Sequence, residues 1–357
     1  MPSPDRPNDN RQRARLRDRV VHRAKLVRNA LTRPAPAARD PTSFRRAAPP
    51  GRFAVESDGA SSALIERLSA SEIADTQRRI DADGELAAAY RGALDPSVAR
   101  HMLLAYGVWL GAPALLERTG LVSAQPPPGI HAMAHGPLAA AGGLYEADMI
   151  ANALASVGVA VDSLDAALDF GCSSGRVLRV LAAAYPDVRW MGCDPNGDAV
   201  AWAQATFPLL DCFTSTNEPP LPLAEGALEL VYAISIWSHF APALGLRWFD
   251  EMHRVIRPGG HLVFTTHGLT ALAYAAETGR RPLEECAEID RALYRDGCWF
   301  IDPFGEDGDW GVVNPLWGSA FLTPEFILGQ LCPSWRVVEF VAGRNQSNQD
   351  VYVLARA

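Results

Sequence analysis

The segment LDFGCSSGR places Asp169, Gly171 and Gly175 between an apolar run and a helical pattern. Glycines at such a turn allow a ligand to approach the backbone closely. A dinucleotide-binding turn needs glycines where this chain has Ser173 and Arg176, and a phosphate-binding P-loop needs Gly-Lys starting at Arg176. Neither of these pyrophosphate-binding turns is present, so the ligand must be of another kind.

A second acidic residue, Asp194, ends the next apolar run, RWMGCD. In doubly wound sheets an acid at this place lies beside the ribose hydroxyls of an adenosine ligand. The ligand should therefore contain a ribose, lack phosphates and carry positive charge that Asp169 would attract. S-adenosylmethionine has these properties, because its sulfonium and its amino group are cationic.

Four segments resemble, in this order, the motifs of the class I S-adenosylmethionine-dependent methyltransferases: LDFGCSSGR, GCDPN, LELVYAISIWSHF and EMHRVIRPGGHLVFTTHG. The resemblance covers roughly residues 160–357 and implies S-adenosyl-L-methionine as the cofactor. The sequence departs from the family at Ser173, where many members have a third glycine, and at Glu229, where many have aspartate.

The resemblance implies a cofactor site built from residues that follow the ends of the first four strands. They are Asp169, Gly171, Cys172 and Gly175 for the methionine part, Asp194 for the ribose, Pro195 and Asn196 beside the adenine, Thr216 and Asn217 at the adenine edge, and Ser235 and Ile236 next to the sulfonium. A plain loop is an equal alternative for Thr216 and Asn217.

Short apolar strands alternate with helical patterns from about residue 160. The predicted strands are AALDF, RWMGCD, CFTST, LELVYAIS and HLVFTTH, and such alternation is typical of a parallel doubly wound sheet. The last two strands, SWRVVEFVAG and QDVYVLAR, are joined only by RNQSN, which predicts an antiparallel hairpin. With the resemblance, these patterns predict an α/β fold with a mostly parallel, seven-stranded, Rossmann-like methyltransferase sheet.

The chain is predicted to have three regions. Residues 1–52 hold 14 basic and 4 acidic side chains and predict a disordered tail, with an arm that contacts anionic lipid or nucleic acid as the alternative. Residues 53–155 carry apolar residues at helical spacing and predict a helical cap or substrate segment. Residues 156–357 form the predicted S-adenosylmethionine-binding domain, with 269–320 as an insertion or lid.

Beyond the tail, the composition argues against a nucleic-acid acceptor, because these residues hold 37 acidic and 19 basic side chains. The sequence also lacks the Asn/Asp-Pro-Pro-Tyr and Pro-Cys motifs of enzymes that methylate bases. We therefore predict O-methylation of a small molecule or glycan. The alternatives are a non-catalytic protein that retains the fold and a nucleic-acid methyltransferase that uses the basic arm.

The six cysteines are scattered, without a CxxC pair or a histidine at metal-ligand spacing. Such thiols indicate a reducing compartment, with neither a disulfide framework nor a zinc site. No signal peptide is recognisable, and the longest apolar run, residues 103–116, is too short to span a bilayer. We predict a cytoplasmic protein without a metal or a transmembrane segment, and with peripheral membrane contact only through the tail.

Histidines just beyond two strand ends are candidates for the base that removes the proton from a hydroxyl acceptor. They are His239 in SIWSHF and His267 in FTTHG. For both, the alternatives are a structural histidine and a reaction that needs no strong base.

Four further residues are predicted to contact the substrate. They are His131, His135 and Tyr145, in the segment before the first strand, and Trp310 in the aromatic insertion. Aromatic rings there could stack on sugar rings. Packing within a small subdomain is the equal alternative for the insertion's tryptophans.

Overall fold

A computed structural model describes residues 59–132, 136, 139–331 and 334–357. The predicted tail, residues 1–52, and His135 lie outside the described residues. Among the helices that are described, none has both the length and the apolar character that crossing a membrane requires.

Nine strands follow one another along the described chain. They are β1 (Ala166–Phe170), β2 (Arg189–Asp194), β3 (Asp211–Thr214), β4 (Leu228–Ala233), β5 (Ile256–Thr266), β6 (Cys298–Ile301), β7 (Ser319–Leu322), β8 (Trp335–Asn345) and β9 (Gln349–Arg356). Seven of them form one sheet in the order β3-β2-β1-β4-β5-β9-β8. The first five are parallel, and β9 is antiparallel to both β5 and β8, which confirms the predicted fold class.

Twelve helices accompany these strands in the described residues. They are α1 (Ala60–Ile65), α2 (Ala70–Asp81), α3 (Gly84–Gly92), α4 (Pro96–Trp109), α5 (Pro113–Thr119), α6 (Ala139–Ser156), α7 (Leu178–Ala184), α8 (Gly197–Thr206), α9 (Pro242–Val255), α10 (Leu269–Glu277), α11 (Leu283–Asp296) and α12 (Pro324–Leu331).

The connection between α9 and β5 differs from the sequence-based expectation. In α9, Leu244, Trp248 and Met252 recur at helical spacing and are buried, so the amphipathic pattern explains that helix. The segment RPGG was predicted to separate α9 from a strand beginning at His261. Instead β5 begins at Ile256, directly after the helix, and its pairing with β4 shifts register at that point. Ile256 pairs with Leu228 of β4 and pairing resumes only at His261, so RPGG forms an irregularity inside the strand, a place where glycine is common.

The helical segment α1–α6 shares one hydrophobic core with the sheet. Leu64, Leu104 and Ile150 belong to the same buried cluster as Ala167 and Val263 of the sheet. These helices therefore pack against the sheet itself, and they fix the position of the segment that precedes β1.

The predicted insertion, residues 269–320, contains α10, α11 and β6, and it ends inside β7, which pairs with β6 in the antiparallel sense. Its end is attached to the turn that follows β4. The Gly318 amide donates to the His239 carbonyl over 2.7 Å, and the Ala320 amide donates to the Ser238 carbonyl over 2.7 Å. The insertion is thereby held against the carboxyl end of β4, where the parallel sheet would bind a ligand.

Candidate active site at the carboxyl ends of the strands

A cavity of about 510 Å³ opens where β1, β2 and β4 end. The strand order of the sheet reverses between β1 and β4, and open α/β sheets bind ligands at such a reversal. The predicted cofactor residues that line the cavity are Gly171, Asp194, Pro195, Asn196, Thr216, Asn217, Ser235 and Ile236. The structure therefore brings together residues from four separate strand ends.

The turn after β1 depends on the absence of a side chain at Gly171. This residue has φ +91°, and an added Cβ would lie 2.1 Å from Cδ1 of Ile236, which is too close for any side chain. The Gly171 and Cys172 amides donate to the Cys193 carbonyl over 2.8 and 3.0 Å, which closes the turn onto β2. Glycine is thus required by both conformation and space.

Asp194 is held in a fixed orientation by two backbone amides. The Ser173 amide donates to Oδ2 and the Asn196 amide to Oδ1, each over 2.8 Å. Ser173 has φ +49°, so it adopts the left-handed conformation at the place where many family members have a third glycine. Each carboxylate oxygen can accept a further hydrogen bond from the cavity. Burial raises the pKa of the Asp194 carboxyl.

Asp169, Cys172 and Gly175 are the predicted cofactor residues that do not line the cavity. Asp169 is buried, and this burial raises the pKa of its carboxyl to about 8. The Cys172 thiol packs against Gly192 of β2, where an added Cβ would lie 2.9 Å from Sγ. Gly175 has φ +78° and completes the turn. In this structure these residues shape the turn from behind its ligand-facing side.

His239 lies in the cavity wall. One of its ring nitrogens contacts the Gly318 carbonyl, and the other faces Ser235. Its Nδ1 is 2.6 Å from the Gly318 carbonyl oxygen, and its Nε2 is 3.5 Å from Ser235 Oγ. Because a carbonyl can only accept, Nδ1 carries the hydrogen and Nε2 keeps its lone pair. Burial lowers the pKa of the His239 imidazole, which favours its neutral form.

The second histidine candidate and Tyr145 occupy other places than predicted. His267 does not line the cavity; its ring centre lies 6.5 Å from that of His239, and burial lowers its pKa to about 4. Tyr145 is buried, and its hydroxyl donates to the Arg344 carbonyl over 2.8 Å instead of facing the cavity. We therefore retain His239 alone as the candidate base, and we assign Tyr145 to holding the β8–β9 turn.

The two remaining substrate candidates in the described residues, His131 and Trp310, are neighbours in the cavity wall. The rings of His131 and Trp310 lie 5.1 Å apart, and both residues line the cavity. Ser173 Oγ is 3.0 Å from His131 Nδ1, which ties this pair to the turn after β1. The insertion therefore supplies part of the cavity wall.

Several cavity residues were not found by reading the sequence. Arg176 and Glu146 form an ion pair of 2.5 Å in the wall. The β8–β9 turn adds a group of amides, namely Asn345, Gln346, Asn348 and Gln349. The only signal for these amides in the sequence is the run NQSNQ in the predicted hairpin, a composition that also suits an ordinary turn.

Residues 167–260 match a family model described as a methyltransferase domain. Over these residues the chain is therefore similar to a methyltransferase domain. This match contains β1 to the start of β5, and so it includes the turn after β1 and Asp194.

Solved structures of S-adenosylmethionine-dependent methyltransferases are also similar to this chain. One from Mesorhizobium loti has 16% identity and a TM-score of 0.40, and the similarity covers 57% of this chain and 96% of that one. Another, from Methanosarcina mazei, has 16% identity and a TM-score of 0.38, with 54% and 92% covered.

The cavity of this methyltransferase domain fits the cofactor that the family assignment supports, S-adenosylmethionine. Gly171 leaves room beside the backbone, and Asp194 offers carboxylate oxygens that suit ribose hydroxyls. The Arg176–Glu146 pair suits the charged groups of an amino acid, since Arg176 Nε is buried and has no hydrogen-bond partner among the described residues. The residues present therefore match both ends of the cofactor.

Binding of S-adenosylmethionine to the methyltransferase domain should release about one proton at pH 7. In the ligand-free protein the Asp169 carboxyl, with its pKa of about 8, is mostly protonated at pH 7. The cationic methionine part of the bound cofactor favours the ionised carboxylate. The affinity should therefore rise with pH and level off above pH 8. Calorimetry in phosphate and in Tris measures the release from the difference in apparent enthalpy. Asp169→Asn should remove most of it; equal enthalpies for the parent protein would contradict the prediction.

Proposed function

We propose that this protein transfers the methyl group of S-adenosylmethionine to a hydroxyl oxygen of a small molecule or glycan. The observation that carries the proposal is the position of His239. Its unprotonated Nε2 lies in the same cavity as Asp194, beside Ser235 at the end of β4. A base at this place can receive the proton that an acceptor hydroxyl loses.

S-adenosylmethionine supplies an electrophilic methyl group: the oxygen–carbon bond forms as the carbon–sulfur bond breaks, and the electron pair stays on sulfur. The chain's own residues then have two tasks. They align the acceptor in line with the methyl group, and they keep water away from it. His239 Nε2 takes the hydroxyl proton, so that the ether product leaves neutral.

The surroundings of His239 keep its ring in one orientation. The Trp317 ring stacks on it, with centres 4.7 Å apart and planes inclined by 20°. Trp317 is fixed in turn by its Nε1, which donates to Asp309 Oδ2 over 2.9 Å. Because the Gly318 carbonyl also fixes the tautomer, Nε2 points in a constant direction. Such fixed orientation is what general-base catalysis needs.

A thermal-shift comparison of two adenosine-containing ligands, S-adenosylhomocysteine and NAD, tests the proposed cofactor. S-adenosylhomocysteine should raise the melting temperature, since a ligand at 100 times its Kd stabilises the fold by about 2.7 kcal/mol. NAD should not raise it, because Ser173 and Arg176 stand where a dinucleotide site has glycines. Stabilisation by NAD, or by neither ligand, would overturn the proposal.

A further inference from the structure

The cavity has a second part that the cofactor residues leave unexplained. It is lined by Trp310 and Trp317 of the insertion and by four amide side chains where β8 and β9 meet, namely Asn345, Gln346, Asn348 and Gln349. We infer that this part binds an uncharged, polyhydroxylated acceptor such as a glycoside, and that Asn345 selects it by accepting a hydroxyl hydrogen. The inference rests on the proposed methyl transfer and narrows its substrate.

A chain of hydrogen bonds determines which amide atom of Asn345 faces Gln349. The Ser235 amide donates to Thr265 Oγ1 over 2.7 Å, so the Thr265 hydroxyl hydrogen is left to donate to Gln349 Oε1 over 2.6 Å. Gln349 Oε1 also accepts from Asn345 Nδ2 over 3.1 Å. The amide nitrogen of Asn345 therefore faces Gln349, and its oxygen faces the other way.

Asn345 Oδ1 is buried and has no hydrogen-bond partner in the described part of the chain. The residue is 6% exposed and lines the cavity. A buried acceptor without a partner costs free energy until a ligand donates to it. A hydroxyl group is such a donor, and the same amide network reaches the reaction centre, since Gln349 Nε2 donates to Ser235 Oγ over 2.6 Å.

The charges of the wall argue against an anionic acceptor. Of the described residues that line the cavity, Arg176 is the only one with a permanent positive charge, and it is paired with Glu146. The single lysine of the sequence is Lys25, in the tail. Asp194 and Asp309 add negative charge to the wall. These carboxylates would therefore repel a phosphate or carboxylate group on the acceptor, and the wall offers it no unpaired cation.

The shape and chemistry of the second part suit a saturated ring with hydroxyls. The half-exposed indole of Trp310 offers apolar area for the C–H side of such a ring. The amides of Gln346 and Asn348 can both donate and accept, as hydroxyl groups require. This combination of aromatic faces and neutral amides is what distinguishes the site from one for a purely apolar acceptor.

Binding to the protein saturated with S-adenosylhomocysteine tests the inference without knowledge of the natural acceptor. The probes are methyl α-pyranosides of glucose, galactose, mannose and rhamnose, with glucose 6-phosphate and catechol for contrast. We expect at least one pyranoside to bind, measured by ligand-observed NMR, more tightly than both contrast compounds. Asn345→Ala should weaken that binding at least tenfold and leave the Kd of S-adenosylhomocysteine within twofold.

Ser347→Gly is the matched control, because Ser347 belongs to the same turn, has φ +57° and does not line the cavity. Its pyranoside affinity should equal that of the parent. The inference is overturned if no pyranoside binds to the cofactor-loaded protein, if catechol or glucose 6-phosphate binds more tightly, or if Asn345→Ala binds as the parent does. Failure to bind S-adenosylhomocysteine at all would instead refute the proposed function.

Discussion

His239→Ala is expected to lower kcat by about 10²- to 10⁴-fold while leaving the Kd for S-adenosylhomocysteine unchanged. The loss follows from the geometry, since Nε2 has its lone pair in the cavity and its orientation is set by Gly318 and Trp317. The measurement is turnover of the pyranoside that the binding panel selects, with cofactor affinity determined separately by calorimetry. A turnover number within a few-fold of the parent would remove His239 from the mechanism.

The pH dependence of the same reaction gives a second readout. The base must be neutral to accept a proton, and burial lowers the pKa of His239. At saturating S-adenosylmethionine, kcat should therefore be constant around neutral pH and fall only as the pH drops below the ordinary histidine range. In His239→Ala this acidic decline should disappear. Retention of the decline would assign it to another group.

His267→Gln is the matched control for His239→Ala. His267 is close to His239 in space but does not line the cavity, and its low pKa keeps it neutral as well. If a neutral imidazole near the reaction centre were sufficient for catalysis, His239→Ala and His267→Gln would reduce turnover equally. We expect His267→Gln to remain within a few-fold of the parent, because only His239 Nε2 can reach an acceptor.

The sheet could be predicted from the sequence because its signals are local. Each parallel strand is a short apolar run between polar turns, and the hairpin of β8 and β9 is separated by only a few residues. The beginning of β5 could not be predicted, since Ile256 pairs with Leu228 of β4 ahead of the irregular residues RPGG, and regular pairing resumes only at His261. The pairing of Ile256 is a tertiary interaction that no local pattern signals.

The site was predictable where residues follow directly from strand ends. Gly171 directly follows β1, Asp194 is the last residue of β2 and Ser235 lies two residues beyond β4, so topology alone brings them to one edge of the sheet. The roles of Tyr145 and Asn345 could not be read in this way. Both depend on where the β8–β9 turn lies relative to α6, and that contact joins residues about 200 positions apart in the sequence.

Asp194→Ala should weaken S-adenosylmethionine binding by about 1–3 kcal/mol, which corresponds to roughly 5- to 150-fold in Kd. The substitution removes the acceptor that suits the ribose hydroxyls, and it also leaves the Ser173 and Asn196 amides without their partner. Calorimetric titration with S-adenosylmethionine measures the change directly.

Asp198→Ala separates this local effect from a change in net charge. Asp198 lies four residues further along, in the first turn of α8, and is exposed and outside the cavity wall. Both substitutions remove one carboxylate, at positions four residues apart, but only Asp194 has carboxylate oxygens oriented by backbone amides. We expect Asp198→Ala to bind S-adenosylmethionine with the parent Kd. Equal weakening in both variants would mean that long-range attraction, and not a contact with the ribose, gives Asp194 its effect.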